Sequence, residues 1–210
     1  MGDKLTERDL ASFAEALAAR ESVPGGGGAA AYAGALAAAL ASMVGRFTVG
    51  KRRYAEVEDD VRRMVADADA LRGRLVALID ADAAAFLPLS RAYAIPREDP
   101  ARAEVLEEAT RRAAEPPLEM VRACAEVVAV LEEMGEKGSR MLASDVACGA
   151  HLARAAMGSA AVNVYVNTGS LADRDLAARL ERECDEALAE WAPRAEALAA
   201  RVTASIRGRG

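Results

Sequence analysis

Residues 23–51 read VPGGGGAAAYAGALAAALASMVGRFTVGK, and the reading of this stretch decides the fold. Pro24 and four consecutive glycines free the backbone, and a run of small apolar residues from Ala29 to about Val44 then forms a helix entered through a glycine loop. Ala30, Gly34, Ala38, Ala41 and Gly45 put small residues on successive turns, so neighbouring helices can approach closely. Being apolar on every side, the helix is expected to be buried all round, at the centre of a bundle. Its first amides have no partner inside the helix, and glycines keep side chains away from them. The loop is therefore either a plain helix entry or a cradle for an anion or a polar ring edge. No charge occurs between Glu21 and Arg46, but alanine and glycine are close to neutral for insertion, which argues against a membrane span.

Composition extends the same reading. Of 210 residues, 52 % are hydrophobic and only 4 % aromatic, with alanine dominating, a balance that suits close-packed helices and not a sheet. One all-α domain over residues 1–210 is expected: an up-and-down bundle of long helices with two buried Ala/Gly-rich central helices. The net charge of −6 argues against nucleic acid as a partner; Lys51, Arg52 and Arg53 are the compact basic cluster. Three widely spaced cysteines indicate neither a disulfide framework nor a zinc site. The opening MGDKLTERDL lacks the basic-then-apolar pattern of a signal peptide, so the cytoplasm is the expected compartment.

Taken in order, Thr6 can cap a first helix whose face is Leu10, Phe13, Ala14, Leu17 and Ala18. After the central helix, TVGKRRY at 48–54 reads as a turn. A long helix follows from about Ala55 to Tyr93, in which Val57, Val61, Met64, Ala68, Leu71, Leu75 and Leu78 repeat at alternating steps of four and three. Four residues on, the same register reaches Asp82. A carboxylate on a buried seam costs several kcal/mol unless it is hydrogen-bonded or serves a site, and both readings stand. Asp80 is expected to point elsewhere, into solvent.

Asp99-Pro100 opens a fourth helix to about Ala114, Pro116-Pro117 are expected to break it, and Leu118 to Leu131 supply the apolar face of a fifth. Ser144-Asp145 then cap a sixth helix to Asn167, nearly free of charge and a partner for the first buried one. Asn163 and Asn167 stand one turn apart on it, and His151 is the single histidine of the chain. Gly169 and Asp173 turn into a last helix that runs to about Ile206. With one histidine no multi-histidine metal site exists, and no nucleophile elbow or Walker lysine is present. What remains is acid–base chemistry by Lys, Asp and Asn around a glycine loop, with no metal and no redox cofactor.

Six segments in this order, PGGGG at 24–28, TVGKRRYAEVE at 48–58, DADAAAF at 80–86, AEPPLEMV at 114–121, SDVACGAHLARAAMGSAAVNVYVN at 144–167 and LAD at 171–173, resemble the formiminotransferase-cyclodeaminase C-terminal family. That family includes free-standing methenyltetrahydrofolate cyclohydrolases. The resemblance implies an all-helical homodimer with a folate site near the subunit interface and a tetrahydrofolate derivative as substrate, without further cofactor. Members convert 5-formiminotetrahydrofolate to 5,10-methenyltetrahydrofolate with release of ammonia, or interconvert the methenyl and 10-formyl forms. Matched position by position, the glycine loop Gly25, Gly26 and Gly27 and the carboxylate of Asp145 are expected to bind substrate. Asp82 is expected to act as base and proton shuttle, with Lys51 stabilising charge or donating a proton. Gly28 stands where the family usually has serine, so a hydroxyl is lost while the amide remains. The sequence shows no formiminotransferase segment, which tilts the expectation towards a cyclohydrolase. The competing expectation is a non-catalytic dimeric bundle that binds a ligand or a partner protein.

Overall fold

A computed structural model describes residues 4–208. Among them there is no strand; six α-helices follow one another, α1 Leu10–Ala18, α2 Gly26–Arg46, α3 Glu58–Ala92, α4 Arg102–Lys137, α5 Ala143–Thr168 and α6 Arg174–Ile206. Helices α2, α3, α4 and α5 run alternately up and down and close into a ring, each packed on its sequence neighbour and α2 also on α5; α6 lies against α5 and α4. The layout follows from the seam on α3. Val61, Met64, Ala68, Leu71, Leu75 and Leu78 are all buried, and burying each of the larger ones stabilises the fold by roughly 1.5–3 kcal/mol.

The small residues of α2 do what their spacing predicts. A Cβ on Gly34 would press on Cys124 Sγ and Leu75, and one on Gly45 would overlap Val65 and Met134, so both glycines let α3 and α4 close in. Burial of α2 is nonetheless incomplete, contrary to expectation. One stripe, Ala29, Ala33, Leu36, Leu40, Met43 and Phe47, faces outward at helical spacing. By length and composition α2 would also suit a membrane, and alanine content does not lower it below that level as expected. Most of its surface is buried inside the bundle instead.

Three local expectations are corrected. Asp9, not Thr6, caps α1, accepting from the Ser12 amide at 2.9 Å. Thr6 donates to Asp80, and so does the Leu5 amide at 2.8 Å, so Asp80 ties the N-terminal segment to α3 and is not simply solvated. Pro116 and Pro117 do not end a helix; α4 runs through both. The carbonyl of Ala113, which would have taken the missing Pro117 amide hydrogen, accepts from Asn167 Nδ2 of α5 at 2.9 Å. Asp173 caps α6 by accepting from the Leu176 amide, as its position suggests.

Candidate functional site

At one end of the bundle the chain enters α2 through Gly25, whose extended backbone gives the N-cap. Asp82, near the end of α3, reaches this entry. A Cβ added to Gly27 would overlap the Asp82 carboxylate, whereas Gly25 has open space around it. Gly26 sits against the side-chain amide of Asn163 from α5, with 3.5 Å between its would-be Cβ and Nδ2. The first turn of α2 thus passes between an acid and an amide, and only hydrogens separate them from its backbone. Asp82, Phe86, Pro117, Asn163 and the three glycines line a cavity of about 170 Å³. Partial burial in the cavity wall strips water from the Asp82 carboxyl and pushes its pKa up to about 6, a rise only partly offset by the Gly28 backbone N–H at the helix N-terminus.

Lys51 and Asp145 lie at the other end. Lys51 is exposed at the turn after α2, where its amide bonds the Thr48 carbonyl and its own carbonyl accepts from the Tyr54 amide at 2.8 Å. The Tyr54 hydroxyl accepts from the Arg140 amide and Thr48 Oγ1 from the Ser139 amide, which fixes this turn to the start of α5. Asp145 is half-buried in the first turn of α5, whose cap position is Leu142, so it is not the cap that its sequence position suggests. Since α2 has 21 residues at 1.5 Å each, Lys51 stands roughly 30 Å from Asp82 within one chain. The fold brings together Gly25, Gly26, Gly27 and Asp82, whereas Lys51 and Asp145 both lie towards the opposite end.

Residues 9–186 match the Formiminotransferase-cyclodeaminase family. The chain belongs to that family. A methenyltetrahydrofolate cyclohydrolase of Methylorubrum extorquens is 40 % identical over 86 % of this chain and 89 % of its own. Mouse formimidoyltransferase-cyclodeaminase is 33 % identical over 80 % of this chain, which spans 32 % of that longer protein. The crystal structure of formiminotetrahydrofolate cyclodeaminase from Thermotoga maritima superposes with a TM-score of 0.83 at 30 % identity, covering 98 % of both chains.

Within this formiminotransferase-cyclodeaminase chain the departure at Gly28 is structurally mild: a Cβ there would meet Pro24 and Ile79 at 3.5 and 3.8 Å, ordinary contact. Among the described residues no group of three His, Cys, Asp or Glu side chains gathers to hold a metal ion. His151 is exposed, and Arg154 pairs with Glu196 on the surface. Sequence reasoning noticed Asn163 and Asn167 as polar residues on an apolar helix without giving either a task. Asn167 repairs the proline step in α4, and Asn163 lines the Asp82 cavity. Their one-turn spacing was the available signal, since it puts both on the face that α5 turns towards this end of the bundle.

Proposed function

We propose that this chain is a folate one-carbon enzyme that opens 5,10-methenyltetrahydrofolate to the 10-formyl form, and that the same groups serve cyclodeamination of the formimino compound. The observation that carries this is Asp82: a carboxyl near pKa 6 on the wall of a small cavity is ionised at neutral pH yet basic enough to accept a proton. In hydrolysis, water adds to the methenyl carbon while Asp82 takes one of its protons. The hydroxyl oxygen then gives up its remaining proton to solvent as the bond from that carbon to N5 breaks and Asp82 returns its proton to N5, leaving the formyl group on N10, with one proton released overall. In cyclodeamination N10 attacks the formimino carbon, Asp82 removes the N10 proton, and the amino nitrogen is protonated and departs as ammonia. Both steps are proton transfers by groups of the chain itself. The greater likeness to the cyclohydrolase relative, at 40 % identity against 33 % and 30 %, favours hydrolysis as the principal reaction.

The site is completed, in this reading, by a second copy of the chain. A cavity of about 170 Å³ is smaller than the roughly 300–1,000 Å³ that enclose ligands of drug size, so one chain provides part of a folate site. The outward apolar stripe of α2 lies beside a second one on α5, where Val162 and Val166 are 59 % and 65 % exposed; Phe47 at the far end of α2 is 56 % exposed. Two copies joined through this face by a two-fold axis perpendicular to the helices would set the glycine end of each against the basic end of the other. Lys51 and Asp145 of one copy would then face Asp82 and the glycine loop of its partner. Lys51 stabilises the developing negative charge, and Asp145 accepts hydrogen bonds from the pterin amino and ring nitrogens.

The test is spectroscopic. Purified protein should speed the loss of methenyltetrahydrofolate absorbance as the 10-formyl form appears, and Asp82→Asn should lower kcat by about 10²- to 10⁴-fold. A protein that leaves both the methenyl and the formimino compounds unchanged would instead be a non-catalytic binding member of the family.

A further inference from the structure

The Asp82 cavity contains a second polar group that the proton-transfer steps above leave without a task. Asn163 projects from α5 beside Gly26, and its Nδ2 donates to the Ser159 carbonyl one turn back on the same helix, at 2.9 Å. That bond fixes the amide by its nitrogen end. Its Oδ1 accepts no hydrogen bond among the described residues, and Asn163 is half-buried on the wall that Asp82 also lines. Gly26 lies directly against this amide: its would-be Cβ is 3.5 Å from Nδ2 and 3.7 Å from Oδ1, ordinary contact distances. The second asparagine, Asn167, lines the same cavity but is the more deeply buried and holds the Ala113 carbonyl, so Asn163 is the more accessible acceptor.

Addition of water to a carbon centre sets a geometric demand that one base cannot meet. Of the two protons on the attacking water, one goes to the base; the other needs an acceptor, otherwise the water rotates and its lone pair turns away from the carbon. We propose that Asn163 is the positioning residue for this nucleophile: its Oδ1 accepts the second proton's hydrogen bond and holds the water between Asp82 and the methenyl carbon. In the cyclodeaminase direction the same oxygen accepts an N–H of the departing amino group. The inference rests on the hydrolytic reading given above and adds to it a residue that neither the glycine loop nor the acid–base pair includes.

The test uses the full chain and 5,10-methenyltetrahydrofolate. Asn163→Leu, close in size but without an acceptor, should lower kcat by about 30- to 100-fold while KM stays within about 3-fold. Asn163→Gln keeps both an amide donor and an acceptor oxygen and should recover kcat to within about 10-fold of the unaltered protein. If the leucine variant does not fold, Asn163→Ala removes the acceptor without added bulk and must show the same split between kcat and KM. A normal kcat in the leucine or alanine variant overturns the inference, as does a rise in KM alone or a glutamine variant that folds but is as slow as the leucine one. Those results all presuppose turnover by the unaltered protein; its absence would sink the hydrolytic reading itself and this inference together with it.

Discussion

The carboxylate of Asp82 occupies the space in which a side chain on Gly27 would begin. This one relationship separates three glycines that look alike in sequence. Gly27→Ala should displace Asp82 and lower kcat by about 10²-fold or more, because a shift of about 1 Å in a catalytic group has that effect. Gly25→Ala, with open space around it and a backbone any residue adopts, should keep activity within about 3-fold. Steady-state rates of the two variants, with circular dichroism to confirm folding, check the contrast.

The raised pKa of Asp82 fixes the sign of two pH dependences. The unprotonated carboxylate is the base, so kcat/KM should rise with pH through a limb at or below about 6 and be flat above it; Asp82→Asn removes the limb. In the proposed two-copy site the second copy's Lys51 would pull the carboxyl pKa down, so Lys51→Met should move the limb upward, towards 6. For stability, the folded state retains a proton between the ordinary value of 3.8 and about 6 that the unfolded chain has released. Stability from this group therefore falls as pH rises across that window and stays reduced above it. Asp82→Asn should be about 1–3 kcal/mol more stable than the unaltered protein at pH 8 and similar to it near pH 4, read from urea denaturation.

Gly28→Ser restores the residue usual in the family at a buried helical position with room for a Cβ. Helix propensity alone should raise stability by about 0.5 kcal/mol, visible as a higher thermal midpoint with the fold unchanged. A fall in the midpoint would show that the hydroxyl has no partner there.

Asn167 and Pro117 form a compensated pair. With the Ala113 carbonyl buried and dependent on Asn167 Nδ2, Asn167→Ala should cost about 1–3 kcal/mol. Pro117→Ala returns a backbone donor to the same carbonyl, so in that background the loss of Asn167 should cost at least about 0.5 kcal/mol less. Denaturant midpoints of the four proteins of this cycle give the coupling; equal losses in both backgrounds would mean that the proline leaves no gap for Asn167 to fill.

The seam on α3 was legible because a heptad repeat reports which face is buried, and it led directly to Asp82. The glycine loop was legible as a place where backbone is bare, but not which of its glycines meets the acid, since that depends on where α3 crosses. The rule that proline ends a helix failed at Pro116-Pro117 for a definite reason: the missing donor is supplied from a residue fifty positions later, and local sequence does not reveal long-range repair. The Asp80 contacts with Leu5 and Thr6 were hidden in the same way. Lys51 and Asp145 could be matched to a family motif, yet a motif does not say which copy of the chain supplies them. The length of α2 keeps them roughly 30 Å from Asp82 within one chain, which is why the proposed site takes them from a second copy.

A site shared between two copies has a direct test in mixed oligomers. Asp82→Asn and Lys51→Met should each be nearly inactive alone. Unfolded together in equal amounts and refolded, half of the resulting dimers carry one of each chain, and each of these has one site with both residues intact, so about a quarter of the unaltered activity should return. No recovery, with mixed dimers shown to form, would contradict a site built from Asp82 of one copy and Lys51 of the other.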